Sequence, residues 1–312
     1  MPRVSIITPA YNAGRFIAET IDSVAKQTLT DWEHVVVDDG SGDETCSIVR
    51  SLAADDARLR LVCQQNGRTC KARNTGFKNS TPGAEYVLFL DHDDILEPDF
   101  LSATVGVLDA EINVGVVYTA LKLIRGNGSF FDEQEWIQPR RYAPCGLGFR
   151  KLDDDTEPVT PLAALMAYHQ AIPSATLFRR TVYEQAGGWD EETGRKVYED
   201  KDIMLRCALH GSVYFLNRRL ARYRLHETNL SWQPNIGWRE HYEHRWTNGE
   251  FLTPEQRRLT RNGIAFDRLV TGSLKIADAV YDLRTGRVGP AVIGTLQGIK
   301  KLATSPLAHF GA

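Results

Sequence analysis

A chain of 312 residues, 42% hydrophobic and 25% charged, is long enough for one large domain with an extension and is too apolar to be disordered. Its formal net charge of −3 excludes a global attraction for nucleic acid, and Arg218, Arg219, Arg222 and Arg224 read as a solvated or salt-bridged strand surface, with a local anion site as the alternative. Five cysteines (Cys46, Cys63, Cys70, Cys145 and Cys207) are scattered, without a CxxC pair, so their spacing indicates neither a zinc cluster nor a disulfide framework.

Val4 to Thr8 reads as a buried strand, and Phe16, Ile17, Ile21 and Val24 then recur at helical spacing until about Thr28. His34 to Val37 is a second strand. It delivers Asp38-Asp39-Gly40-Ser41-Gly42-Asp43, where Ser41 or Asp43 can cap the helix carrying Ile48, Val49 and Leu52. Leu59 to Cys63 is a third strand, Lys71 to Lys78 a short helix and Tyr86 to Leu90 a fourth strand. Pro98 to Leu108 is another helix, with Pro98 suited to its first turn. This alternation predicts a parallel sheet with helices on both faces and ligands bound at the carboxyl ends of the strands.

Val114 to Ile124 is a further strand, and the Pro-, Gly- and charge-rich stretch from about Asp132 to Pro161 reads as a long surface segment near the site. A helix over Leu162 to His169, a strand over Ala175 to Phe178 and a helix near Thr181 to Ala186 follow. Next come the turn Gly187-Gly188-Trp189-Asp190, a helix from Glu199 to about His210, and strands over Val213 to Leu216 and Leu220 to Leu225. Composition shifts at Trp232, which divides the chain into residues 1–231 and a mostly helical extension, 232–312, with helices over Pro254 to Asp282 and Gly289 to Leu302. The last of these carries Ala291, Val292, Ile293, Leu296, Ile299 and Leu302 on one face beside Lys300 and Lys301. Burial against the catalytic domain is one reading, and peripheral contact with a membrane-bound, lipid-linked acceptor is the other. No basic start with an apolar run and no run of membrane-span length is present, so the sequence is read as cytoplasmic, with the inner face of a membrane open to it.

The most informative segment is Phe89-Leu90-Asp91-His92-Asp93-Asp94, where an apolar strand runs into three carboxylates and an imidazole. Buried carboxylates at a strand end are costly unless a cation or donors compensate, which points to a chelated divalent metal; a capped turn uses the same residues. An extended course past the strand would put Asp91 and Asp93 on one side, able to serve one Mg²⁺ or Mn²⁺ and one sugar hydroxyl. Asp38 and Asp39 suit a nucleoside edge or a plain turn. Arg73 and Asn74 at a helix start suit a diphosphate or a basic surface. Glu199, Asp200 and Asp202 sit at a helix N-terminus, where capping accounts for one of them. His226 ends a strand, more often a surface position than a ligand site.

In this order the chain resembles the family 2 inverting glycosyltransferases of the GT-A fold. The resemblance rests on Val4 to Asn12, Val37 to Asp43, Ala72 to Gly76, Phe89 to Asp94, Gly187 to Glu191, Glu199-Asp200 and Tyr223 to His226, covering about residues 3 to 231. It implies a Rossmann-like, mostly parallel sheet and a transfer from a nucleoside-diphosphate sugar, UDP- or dTDP-linked, to a hydroxyl of a sugar, lipid-linked or other acceptor, in polysaccharide, glycolipid or glycoconjugate synthesis. Thr8, Pro9, Tyr11 and Asp39 match positions around the nucleobase, and Arg73 one at the base or diphosphate. Asp91, His92 and Asp93 match the DxD motif, with Asp93 the metal ligand and Asp91 nearer the ribose. Asp200 matches the general base with Glu199 in support, and His226 a histidine that completes the metal or diphosphate site. Asn66-Gly67 lacks the family's usual intervening residue. Tyr242 to Trp246 keeps only the Arg-Trp of the QxxRW motif of processive synthases, which implies a non-processive enzyme. A nucleotidyltransferase would want a Gly-rich, basic loop where Pro9 to Gly14 stand, and a silent binding protein would have no use for Asp91, Asp93, Asp200 and His226.

Overall fold

The computed structural model describes residues 1–131, 172–192, 199–229, 246, 252–261 and 264. The surface segment 132–161, the helix 162–169 and the helix 289–302 expected from sequence lie outside them. The chain divides into two compact units: Met1–Phe131, Glu157–Thr160 and Ala171–Asn235 form the first, and Asp132–Thr156, Pro161–Gln170 and Ile236–Ala312 the second. In the second, a helix spans 254–261, and Trp246 is fully buried with its carbonyl accepting the Thr260 hydroxyl at 2.7 Å.

The first unit is built on β1 (Val4–Ala10), α1 (Ile17–Ala25), β2 (Trp32–Asp38), α2 (Thr45–Asp55), β3 (Leu59–Cys63), α3 (Thr69–Lys78), β4 (Tyr86–Phe89), β5 (Ile95–Leu96), α4 (Phe100–Ala110), β6 (Val114–Arg125), β7 (Thr176–Arg179), α5 (Arg180–Gln185), α6 (Glu199–Cys207) and β8 (Ser212–Leu225). One sheet holds all eight strands in the order β3-β2-β1-β4-β7-β6-β8-β5. β3, β2, β1 and β4 run parallel, β6 and β8 are parallel to each other, and β7 and β5 pair antiparallel with their neighbours. Every residue of β1, β2 and β4 is buried, as expected of strands covered on both faces. α3 lies directly on β1 and β2 because position 76 has no side chain: a Cβ there would stand 2.3 Å from Ile7 Cγ2 and 3.1 Å from Val37 Cγ2.

The sheet is mostly parallel, as expected, with β7 inserted against the direction of β4 and β6. Three expectations are corrected. The two predicted strands after α6 are one, β8, whose break at Asn217 to Arg219 is absorbed by register shifts against β6. α4 starts at Phe100, and Pro98 lies before it, its carbonyl accepting the Thr28 N–H at 2.9 Å. The N-cap of α2 is Glu44, while Asp43 accepts the Thr45 N–H at 3.1 Å and Ser41 Oγ accepts the Asn12 N–H at 2.9 Å. Among the described residues no helix is long and apolar enough to cross a membrane.

Candidate active site

The carboxyl ends of β1, β2 and β4 gather the polar loops. After β1 the chain is stitched to the loop after β2: the Gly42 N–H donates to Asn12 Oδ1 and the Gly14 N–H to Asp43 Oδ2, both at 2.9 Å. Tyr11 projects outward, 49% exposed. Asp39 is buried and accepts Gln64 Nε2 at 2.6 Å and the N–H groups of Gly67 and Arg68, each at 2.8 Å. These bonds fold the 64–68 loop over Asp39 and leave its carboxylate with about one unspent lone pair. Thr8 is placed differently from expectation. It is fully buried between β1 and β2, its hydroxyl 2.9 Å from Nε2 of His34, whose burial pushes its pKa down to about 3. Thr8 therefore braces a neutral imidazole beneath the loops. Pro9 is also buried, and its carbonyl faces Nδ1 of the half-buried His92 at 3.3 Å.

The acidic segment after β4 does not stay extended. The Asp94 N–H bonds the Asp91 carbonyl at 3.2 Å, and the resulting turn sends the three carboxylates apart. Asp91 Oδ1 accepts Arg73 Nη2 at 2.7 Å, while its N–H donates to Ser174 Oγ at 3.1 Å. Asp93 Oδ2 stands 2.8 Å from Nε2 of His226, whose Nδ1 is 2.9 Å from the Thr228 hydroxyl. Burial opposes the charge on Asp93, but the hydrogen bond from His226 and the nearby His92 outweigh it and hold the carboxyl below the usual range. Asp94 is fully buried and accepts the Arg224 N–H at 3.0 Å. Burial, followed by the charges of Asp93 and Asp91, raises its pKa well above that of an ordinary carboxylic acid.

Arg224, 1% exposed, underpins this corner: Nε donates to the Asp93 carbonyl at 2.8 Å, Nη2 to Glu19 at 2.7 Å, and the guanidinium lies 4.8 Å from the Phe16 ring. The same ring packs against His226 at 4.8 Å between centroids. Asp93 and His226 are thus fixed from behind by a residue that the sequence offered as a surface cation or part of a local anion site.

Glu199 and Asp200 open α6 and face Arg73. The buried guanidinium lies 4.2 Å over the Trp189 ring, with Nη1 3.6 Å from Asp200 Oδ1 and 3.9 Å from Glu199 Oε1. Burial, then the charge of Glu199, raises the Asp200 pKa well above its ordinary value despite the lowering effect of Arg73. Asp202 does different work: it is buried, binds Arg206 at 2.8 Å, and Arg206 Nη1 in turn donates to the Gly188 carbonyl at 2.6 Å. Asn74 completes the frame, with Nδ2 donating to the Trp189 carbonyl at 2.8 Å and Oδ1 accepting the Trp189 N–H at 3.0 Å. Gly188 passes beside it at φ +73, where a Cβ would sit 3.2 Å from Asn74 Oδ1. The Gly-Gly-Trp-Asp turn is therefore the floor under Arg73, and Ser174 and Thr228 are supporting residues not singled out from the sequence, which had offered Asn74, Trp189 and Arg224 without these partners. Their motifs were visible, but partners 115 and 131 positions away were not.

The family model described as glycosyl transferase family 2 matches residues 5–185, more than half of the chain. An uncharacterized glycosyltransferase of Nostoc sp. is 32% identical over 229 residues, 73% of this chain and 66% of that protein. A chondroitin synthase of Pasteurella multocida is 27% identical over 231 residues, 74% of this chain and 21% of that protein. Among solved structures, S. aureus TarS 1-349 in complex with UDP-GlcNAc superposes with a TM-score of 0.57 at 19% identity, covering 96% of this chain and 92% of that one. Mannosyltransferase PcManGT from Pyrobaculum calidifontis, in complex with GDP-Man and Mn²⁺, gives 0.55 at 18% identity over 98% and 88%. At these identities the likenesses show the fold.

Proposed function

The chain belongs to glycosyl transferase family 2 and is a glycosyltransferase of the GT-A fold, and from that premise we propose that it moves a sugar from a nucleoside-diphosphate donor to a hydroxyl acceptor by one inverting displacement. The observation that carries the proposal is the reach of Arg73, which touches Asp91 at 2.7 Å and stands 3.6 Å from Asp200, so that the acids after β4 and those opening α6 share one buried cation. In this reading the exposed ring of Tyr11 and the remaining lone pair of Asp39 hold the base, Asp91 takes the ribose, and Arg73 orients the diphosphate. Asp200 accepts the proton of the attacking hydroxyl. Its raised pKa brings its basicity nearer the working pH, which is where a general base is most effective. Glu199 maintains that shift.

Asp93 and His226 fit a divalent cation. Their facing atoms are 2.8 Å apart, close to the roughly 3 Å between adjacent ligands on bonds of about 2.1 Å, and Thr228 fixes the other imidazole nitrogen. Bound Mg²⁺ or Mn²⁺ would supply Lewis-acid stabilisation to the departing diphosphate. The TarS complex with UDP-GlcNAc and the PcManGT complex with GDP-Man and Mn²⁺ support a nucleotide-sugar donor and a divalent ion. The donor is expected to be UDP- or dTDP-linked and the acceptor to belong to polysaccharide, glycolipid or glycoconjugate synthesis.

The test is hydrolysis of a panel of UDP-, dTDP- and GDP-sugars by the purified chain with Mg²⁺ or Mn²⁺, followed by NMR of the released sugar. First-formed sugar of inverted anomeric configuration is expected. Retained configuration, or no binding and no turnover across the panel, overturns the proposal.

A further inference from the structure

A second cluster lies at the far edge of the sheet. Asp38 ends β2, Cys63 ends β3, and the two are partners in the parallel register. Cys46, in the first turn of α2, folds back onto them, and its sulfur is 3.8 Å from that of Cys63 although 17 positions separate the two. That separation is why the spacing of the cysteines showed no metal pattern. A carboxylate oxygen of Asp38 and both sulfurs all lie within 4.8 Å of one another. Asp38 is 3% exposed; its Oδ2 accepts the Ser41 N–H at 3.2 Å, and its Oδ1 is buried with no hydrogen bond of acceptable geometry. Burial, followed by the Asp38 carboxylate and Cys63, pushes the Cys46 thiol up to about 12. The cluster is thus short of positive charge, with Arg50 Nη2 only at 3.8 Å from the outer sulfur.

The geometry points to a site for one tetrahedral, thiophilic divalent cation of the Zn²⁺ class, held by Cys46 Sγ, Cys63 Sγ and Asp38, with water in the fourth position. Two thiolates on bonds of about 2.3 Å at the tetrahedral angle stand about 3.8 Å apart, whereas a disulfide brings its sulfurs to about 2.05 Å. The observed 3.8 Å, a thiol–thiol contact, matches the former and is too long for the latter. The buried carboxylate oxygen supplies the harder third ligand, and the exposure of Cys63 leaves the cation a way in. Binding converts two thiols to thiolates and releases two protons to solvent, with no electron transferred. The ion would join β2, β3 and α2 one residue from Asp39, bracing the loop that carries it.

Thiolate ligation is read with Co²⁺ as the probe, titrated into the full-length, fully reduced, metal-stripped protein. A sulfur-to-cobalt charge-transfer absorption in the near ultraviolet, saturating at one equivalent and erased by Zn²⁺, is expected. Cys63→Ser, at an exposed position, should abolish it while leaving the circular dichroism spectrum intact, and Cys46→Ala should do the same. Asp38→Asn should weaken apparent Co²⁺ affinity at least about ten-fold. Asp93→Asn, whose carboxylate lies elsewhere, should retain the band in full. No charge-transfer band in the folded wild-type protein, or a band that survives Cys63→Ser unchanged, overturns the site.

Discussion

Asp200→Asn separates basicity from shape, because it keeps the size of the side chain and removes its charge. If Asp200 takes the acceptor proton, turnover falls by about a hundred- to ten-thousand-fold, or about 3–5 kcal/mol on the barrier. Nucleotide affinity should hold, since the donor contacts are assigned to Tyr11, Asp39, Asp91 and Arg73, and Arg73 keeps its shorter contact, 2.7 Å to Asp91. Stability should move the other way. Across 3.6 Å at an effective dielectric of about 20, attraction between Asp200 and Arg73 amounts to about 5 kcal/mol. Yet burial and repulsion from Glu199 and Asp91 win, because the net effect is a pKa well above the ordinary value. An acid raised in the folded state favours folding below its unfolded pKa of about 3.9 and loses that contribution as pH climbs through the folded value. Asparagine carries no such loss. Urea denaturation should therefore show Asp200→Asn gaining on wild type as pH rises above about 4, while donor hydrolysis at saturation collapses. A variant that turns over at the wild-type rate, or that loses ground as pH rises, refutes the reasoning.

Three further outcomes are expected. Asp93→Asn should lose the Mn²⁺-dependent part of nucleotide affinity, at least about ten-fold by calorimetry with and without the ion, while still unfolding cooperatively; equal affinities would remove Asp93 from the metal site. Arg224→Met should lose about 1–3 kcal/mol of stability in urea, because the Asp93 carbonyl and Glu19 both lean on a guanidinium that is 1% exposed; a change under about 0.5 kcal/mol would mean that it is dispensable. Gly188→Ala should cost more than Gly187→Ala: both have positive φ, but a Cβ at 188 meets Asn74 Oδ1 at 3.2 Å and one at 187 meets nothing within 4 Å. Left-handed backbone alone accounts for about 1–2 kcal/mol at each, and thermal melts that rank them the other way would contradict the packing around Asn74.

The sequence made the framework legible where burial is two-sided. β1, β2 and β4 are buried at every position, so their apolar runs stand out without help from neighbours. β5 was invisible because two residues, Ile95 and Leu96, become a strand only by pairing with Arg222 and Ala221. β8 read as two strands because Asn217, Arg218 and Arg219 interrupt its apolar pattern, and only the bulged register with β6 keeps the ladder continuous across them.

At the site, the residues by themselves delivered the acids, and only the family resemblance suggested a division of labour. Asp93 and Asp94 are neighbours of one residue type, and nothing local separates them. The turn closed by the Asp94 N–H aims one at His226 and buries the other against the Arg224 backbone. Asp200 and Asp202 diverge for the same reason: Arg206, one turn further along α6, neutralises Asp202, while Asp200 must share Arg73 with Glu199 and Asp91. Which partner each acid meets is set by residues far away in sequence: Asp91 and Asp200 meet Arg73, held over Trp189, and Asp93 meets His226, packed on Phe16. A pattern of acids can therefore announce that a site exists, but the partners that distinguish one acid from the next appear only when the sheet brings their elements together.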